Sequence, residues 1–387
     1  MRKLILYIAF FTCGNLFAQT KIVYMAAEMN EVFFLDDFST VEMWGYGIVK
    51  PSGAYQASLP GPVLEFNLGD TVEIHFHNTT PEDHTIHLHG LDVSMMEDGV
   101  PTTSMAVDPN DSIIYNFVAK NAGTFIYHCH VLTTLHLTMG MYGIIVVKNF
   151  PEQNLIYSGG PSYQSEHVFF ATDMDRSLNI NPLSPGPFNL LFMDYFMING
   201  LSGTPLLTST TNQVTAYPGD SVLLRLACLS YSKTRFIFPP GLNAIAYNSD
   251  GRPLPVPYAC DTLTIFPGER YDVLLTPTEI TDVDIQVEYY ESRNDELQHI
   301  NYIEVNGDVG ISKEEKNEFN LYPNPVSNTI QFETSVPGNA LSVYDIAGKL
   351  VFSQTINNTH STLDLSILKS GIYILRYGDS SQKIVKN

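Results

Sequence analysis

The sequence predicts an all-β protein. Short runs rich in β-branched and aromatic residues alternate with Gly, Pro, Asn and Asp turns along its 387 residues, and no segment keeps a helical period for long. Two stretches about 150 residues apart echo each other: Pro62 to Val72, with Gly69-Asp70 at its turn, and Val214 to Val222, with Gly219-Asp220. Each reads as strand, Gly-Asp turn, strand, which predicts two β-sandwiches of one type over residues 30–150 and 165–305. A polar, charged linker at 306–320 and a small β-rich segment at 321–387 complete the chain.

Composition narrows the function. With 44% apolar and 16% charged residues the chain can bury the cores of two or three domains and is not disordered. A formal net charge of −21 repels nucleic acid and anionic membrane surfaces, leaving small molecules, metal cations or another protein as partners. Met1-Arg2-Lys3, the apolar run Leu4 to Thr12 and Leu16-Phe17-Ala18 have the charged start, apolar core and small last residue of a signal peptide, so residues 1–18 are expected to be removed. Cys13 raises lipid attachment, but Thr12 before it and Phe10 and Phe11 make a poor lipidation site. No other stretch approaches the ~20 apolar residues of a membrane span, so the mature protein is expected outside the cytoplasm with no membrane span. In an oxidising compartment Cys228 and Cys260 form either a disulfide or two buried thiols.

The chemistry concentrates in one region. Six of the eleven histidines lie between positions 84 and 136, in two groups: His84, His87 and His89, then His128-Cys129-His130 with His136 and Met141 following. Successive side chains of a strand point to opposite faces. His87 and His89 therefore share a face that His84 does not, and His128 and His130 share a face opposite Cys129. The parity predicts two sites back to back. One gathers His84, Cys129, His136 and Met141, two imidazoles, a thiolate and a thioether, which is the ligand set of a blue-copper electron-transfer centre. The other gathers His87, His89, His128 and His130, a face that suits copper and, less well, zinc. Cys129 is the chain neighbour of both His128 and His130, so the two sites are joined through bonds. His75 and His77 read as surface residues, because Val72, Ile74 and Phe76 take the core face of their strand.

These motifs resemble the multicopper oxidase family. His84-x-x-His87-x-His89-Gly90, His128-Cys129-His130, and His136 with Gly140 and Met141 match its copper motifs in number and order; Asp98-Gly99-Val100-Pro101 and Met141-Tyr142-Gly143 resemble its first domain. Phe196 to Gly200, Ser249 to Pro253 and Pro267 to Val273 are similar to the copper-free middle domain of three-domain laccases, so the resemblance covers about residues 40 to 305. It implies two Greek-key cupredoxin sandwiches, with His84, Cys129, His136 and Met141 as type-1 copper ligands. His87 would correspond to a type-2 ligand, and His89, His128 and His130 to type-3 ligands. It further implies an oxidoreductase passing electrons from a small reducing substrate or metal ion to O2, with Asp98 as a proton relay or a turn-stabilising residue before Gly99. Met95, Met96 and Glu97 offer a soft or acidic docking patch, or partial core.

Two departures stand out. Five residues, Val131 to Leu135, separate His-Cys-His from His136 where the family has three. The family's O2-reducing cluster takes eight histidines from two copper-bearing domains, whereas this face has four, and the second domain holds only His167 and His299. The expectation is a homo-oligomer in which two chains complete the cluster across a two-fold axis. A copper nitrite reductase-like enzyme and a non-enzymatic copper-binding or electron-transfer protein are the alternatives. The tail, through Leu321-Tyr322-Pro323-Asn324-Pro325, Val343 to Lys349, Leu363 to Ser366, Ser370 to Tyr373 and Gln382 to Lys386, resembles the type A sorting domain of the type IX secretion system. That implies the type IX secretion machinery as a partner and a secreted or cell-surface location.

Overall fold

The computed structural model describes residues 19–36, 39–182, 187–278, 282–307, 319–334, 337–345, 349–377 and 380–386. The expected signal peptide with Cys13, residues 308–318 of the expected linker and residues 346–348 of the tail motif lie outside them. The molecule is all-β. It folds as two compact units, described residues up to 33 and from 41 to 307 in one, 34–40 and those from 319 in the other.

In the first unit, one sandwich is built from β1 (Thr20–Phe34), β2 (Thr40–Ile48), β3 (Leu64–Asn67), β4 (Thr71–Asn78), β5 (His87–His89), β6 (Ser112–Val118), β7 (Gly123–His128), the short helix α1 (Thr133–Thr138) and β8 (Tyr142–Lys148). The sheets run β2-β1-β4-β6 and β3-β8-β7-β5. β1 pairs with β4 over Thr20–Ala27, so this sandwich takes in residues ahead of position 30. Alternation builds β4 as anticipated: Val72, Ile74 and Phe76 are fully buried, with His75 and His77 on the other face.

The second sandwich contains β9 (Ser165–Met174), α2 (Arg176–Ile180), β10 (Tyr195–Ile198), α3 (Gly203–Leu207), β11 (Val214–Thr215), β12 (Val222–Cys228), β13 (Lys233–Ile237), β14 (Ile245–Ser249), β15 (Arg252–Ala259), β16 (Thr262–Ile265), β17 (Arg270–Leu275), β18 (Val283–Tyr290) and β19 (Leu297–Asn306). Its sheets run β10-β9-β12-β17-β14-β15 and β11-β19-β18-β13-β16. Cys228 and Cys260 are buried free thiols, the first beside Ser230 Oγ at 3.2 Å, the second facing the Ala244 carbonyl.

The echoed segments share one turn. Gly69 and Gly219 have φ of 91° and 90°, the left-handed value that a type II turn requires at its third residue. In each, the following Asp accepts the turn's first backbone N–H, Asn67 to Asp70 Oδ2 and Tyr217 to Asp220 Oδ2, both at 2.9 Å. A third copy joins β16 to β17: Gly268 has φ 90°, and Phe266 N–H donates to Glu269 Oε2 at 2.9 Å.

The sandwiches meet at β7. A Cβ on Gly123 would come within 2.7 Å of Gly251 Cα, and one on Gly251 within 2.2 Å of the Phe125 ring. Beside this close approach, the buried Arg225 donates to Glu166 at 2.8 Å and lies 3.6 Å from Asp272 Oδ1. Thr124 Oγ1 donates to the same Asp272 oxygen at 2.6 Å, and Lys148 reaches Glu166 at 2.8 Å. β7, which leads into His-Cys-His, is therefore clamped by the second sandwich.

In the other unit, described residues from Phe319 to Lys386 form a three-stranded and a four-stranded sheet around Phe319, Phe332, Val343, Leu375 and Ile384.

Candidate metal centre

His84 is held just ahead of β5 by paired backbone bonds with Val107 at 3.1 and 2.9 Å. Side chains fix the two residues that follow: Tyr46 donates its hydroxyl to Thr85 O at 2.5 Å, and Ile86 N–H donates to Tyr115 Oη at 3.0 Å. Thr85 Oγ1 in turn accepts the His130 N–H at 2.9 Å, tying the first histidine group to the second. His87 and His128 are direct cross-strand partners.

This framework gathers His84, Cys129 and His136, all buried, with ligand atoms within 4.8 Å of one another. Cys129 Sγ lies 3.6 Å from His84 Nδ1 and 3.1 Å from His136 Nδ1. Both Nε2 atoms are buried without a hydrogen-bond partner. Met141 is fully buried; its carbonyl accepts the Cys129 N–H and its own N–H donates to His136 O, each at 3.0 Å. The five-residue spacing before His136 has a plain cause: the extra chain coils into α1, and His136 sits within that helical turn.

On the other face, His87, His89 and His128 bring ligand atoms within 4.8 Å of one another. The His130 ring stands 5.1 Å from that of His87 and 5.9 Å from that of His128, centroid to centroid. His87 Nδ1 donates to Asp98 O at 2.7 Å and lies 3.3 Å from the Asp98 carboxylate. His128 Nδ1 donates to Cys129 O at 2.9 Å, and His130 Nδ1 lies 3.4 Å from Thr133 Oγ1. These bonds occupy Nδ1 of each ring, the second-sphere arrangement that orients imidazole ligands. His89 differs, its Nδ1 facing His128 Nε2 at 3.3 Å.

Burial favours the neutral form of His84, His87, His89, His128 and His136. It pushes His84 and His128 down to about 3 and His136 to about 4. His89 falls to about 4, by burial and then by the Arg270 charge. Burial likewise pushes the Cys129 thiol up, so a metal must displace its proton. Two imidazoles held low by burial, their Nδ1 atoms turned to one thiol, are a donor set that fits copper.

Arg270, which the sequence placed in a motif of the second domain without a role at the site, lies against Gly90, beside His89, and is fixed by Asp250 at 2.9 Å and by the Gly268 carbonyl. With Asp250, Pro267, Gly268 and Glu269 it walls an open cleft of about 500 Å³ beside His87 and His89. The repeated Gly turn signal points to this wall. Glu82, two residues before His84, and Trp44 both border His136. Met95 and Met96 are exposed. His167 stacks on Phe169, and His299 on Phe196, within the second sandwich.

Residues 44–152 and 182–301 each match a multicopper oxidase family model, and together these cover more than half of the chain. The chain belongs to the multicopper oxidase family. Residues 320–387 match a secretion system C-terminal sorting domain. Laccase-9 of Arabidopsis thaliana is 25% identical over 225 residues, 57% of this chain and 37% of that protein. This family member thus spans well under half the length of the curated relatives it matches. A blue copper oxidase from Nitrosomonas europaea superposes with a TM-score of 0.58 at 26% identity, covering 74% of this chain and 86% of that one. Copper nitrite reductase from the same organism superposes with a TM-score of 0.55 at 21% identity, covering 75% and 95%, which shows the cupredoxin fold alone.

Proposed function

We propose that this multicopper oxidase family member is a secreted copper-dependent oxidoreductase. His84, Cys129, His136 and Met141 would hold a type-1 copper, and His87, His89, His128 and His130 half of an O2-reducing cluster. The observation that carries the reading is the placement of Cys129 Sγ among two imidazoles while its two chain neighbours join the other histidine group. Copper at these positions supplies one-electron redox chemistry at the sulfur and a binding place for O2 at the histidine face. The protein's own part is orientation. Asp98 O and Cys129 O fix the tautomers of His87 and His128. The buried Tyr46, Tyr115 and Thr85 hold the strand ends in register and exclude water. The Asp98 carboxylate, partly exposed beside His87, is the candidate proton relay.

His87 and His89 of the four line an open cleft, and His167 and His299 are engaged within the second sandwich, so the missing ligands are assigned to a second chain. The tail is assigned to type IX secretion. The test combines copper per chain, solution mass and O2 uptake with a phenolic or metal-ion reductant. Two or more coppers per chain, an oligomer and O2 consumption are expected. A strictly monomeric copper-loaded protein, or one that consumes no O2 with any good reductant, overturns the oxidase reading. About one copper per chain identifies an electron carrier, and nitric oxide release from nitrite identifies the reductase alternative.

A further inference from the structure

We propose that β4 carries a further, exchangeable metal site on the outer face of the first sandwich, where His75 and His77 chelate a borderline divalent ion of the copper(II) or zinc(II) class. The site shares no residue with the sulfur–imidazole group or the histidine cleft and stands without the reading of either.

The strand that buries Val72, Ile74 and Phe76 turns Glu73, His75 and His77 to its opposite face. Residues two apart on a strand stand about 7 Å apart, a span that two imidazoles close around one ion. Each ring already has one nitrogen assigned. His75 Nε2–H donates to Glu73 Oε2 at 2.9 Å, and a carboxylate only accepts, so the lone pair of His75 is on Nδ1. His77 Nδ1–H donates to the Asp111 carbonyl at 3.0 Å, with Ser112 Oγ at 2.9 Å, so the lone pair of His77 is on Nε2. The neighbouring strands hold both rings. Ser112 of β6 lies directly across from His77, and Tyr24 of β1, across from His75, sets its ring 4.8 Å from the imidazole.

An acceptor on the far N–H of an imidazole is what orients a metal-ligating histidine, and a carboxylate in that place also raises the ring's basicity. Glu73 is therefore a positioning residue, and His75 and His77 are the ligands. Imidazole nitrogens suit copper, zinc and nickel and leave calcium and magnesium to oxygen donors. Both histidines line a cavity of about 510 Å³ that Tyr24, Tyr55, Ser112 and Ile114 also wall. That is far more room than an ion needs, so two protein ligands leave coordination positions for water or a small anion. His77 is exposed and the His75 side chain is 27% exposed, so the ion enters and leaves directly from solvent. A chain of net charge −21 draws cations to such a site. Cys129, fully buried, offers no such exchange.

The experiment uses the copper-loaded full chain, washed with EDTA to strip exposed ions, desalted, and titrated with nickel(II) by calorimetry. Nickel(II) ranks below copper(II) at nitrogen and sulfur sites and does not displace it. The wild type is compared with His75→Gln, His77→Gln and Glu73→Gln, and the copper–thiolate visible band is read in each. The wild type is expected to take up one nickel(II) that either histidine variant loses. In Glu73→Gln the affinity is expected to fall about tenfold, as for loss of an outer partner of a ligand imidazole. The band is expected to stay unchanged in all three, since these side chains lie on the face of β4 away from the core. A wild-type chain that takes up no nickel(II), or uptake that is the same in both histidine variants, overturns the site. Absence of the band from the wild type with nickel(II) uptake still lost in His75→Gln and His77→Gln supports this site and overturns the type-1 copper reading instead.

Discussion

The two sandwiches share a fold and a turn but spend their interiors differently. Where the first ends β7 in His128-Cys129-His130 and buries His84 and His136 with unpartnered Nε2 atoms, the second packs Phe236, Phe238, Leu263 and Cys228 into a continuous apolar core. A buried polar atom without a partner costs roughly 1–3 kcal/mol, so the first sandwich gives up stability in burying these two rings, whose other nitrogens, Nδ1, face Cys129 Sγ where a metal would find its ligands. The second keeps that stability and lends it across the interface, holding β7 through Asp272, Arg225, Arg270 and Gly251. The difference teaches that the cupredoxin frame is neutral and that function lies in the side chains mounted at its strand ends.

The largest expected effect breaks the comparison at its cysteines. Cys129→Ser should abolish the copper–thiolate band and O2 uptake while shifting the stability of the metal-free chain by no more than about 1 kcal/mol, since a hydroxyl there still meets two imidazoles. Cys228→Ser should do the reverse. Its hydroxyl finds Ser230 and the Ser232 carbonyl, costs about 1 kcal/mol and leaves the band intact. Absorption spectra and urea unfolding of the two variants decide the matter, and a lost band in Cys228→Ser would refute the division of labour.

Next comes the charge network that joins the sandwiches. Arg225 is buried between Glu166 and Asp272, so Arg225→Met leaves the buried Asp272 with no cation, only the Thr124 and Asn248 donors, and should cost about 3–5 kcal/mol. A loss below about 1 kcal/mol in urea unfolding would mean that water or Lys148 replaces the guanidinium. Gly251→Val follows at about 3 kcal/mol, combining a φ of 71° with a Cβ 2.2 Å from the Phe125 ring. Because Phe125 lies on β7, this variant should also weaken copper binding at His128 and His130, read by metal titration; unchanged affinity would show that the second sandwich does not position the histidine face.

Which parts were legible in the sequence follows from which interactions are local. Parity places His87 and His89 on one face of β5, because alternation is a property of consecutive residues, but His84 is set apart by its bridge to Val107 ahead of the strand; the Gly-Asp turns announce themselves by the glycine that their φ demands. The fate of Val131 to Leu135 was not legible: five residues can bulge or coil, and α1 is chosen by packing, its Leu135 and His136 being buried. Nor was the third turn recognised as a wall of the histidine cleft, since only tertiary structure brings Gly268 within reach of His89. Arg270, Thr124 and Glu82 share this character, each acting on a residue that belongs to another element.

A pH dependence confined to one element sharpens the comparison last, in the sandwich that holds no sulfur–imidazole group. Asp173, near the end of β9, is buried and accepts the N–H groups of Tyr231 and Ser232 at 2.8 and 2.9 Å. Burial pushes its carboxyl up from 3.8 to about 6, with Glu291 adding to the rise, and the bonds from Ser232 and Tyr231 only partly oppose it. The folded state thus holds this proton more tightly than the unfolded chain does. Its contribution to stability is complete below about pH 4 and is lost as pH rises through about 6, a swing of about 3 kcal/mol. Asp173→Asn carries no ionisable group and should flatten that part of the urea-unfolding profile while leaving the copper–thiolate band unchanged. Parallel profiles for wild type and variant between pH 4 and 7 would mean that the two N–H donors outweigh burial and that the carboxyl is ionised throughout.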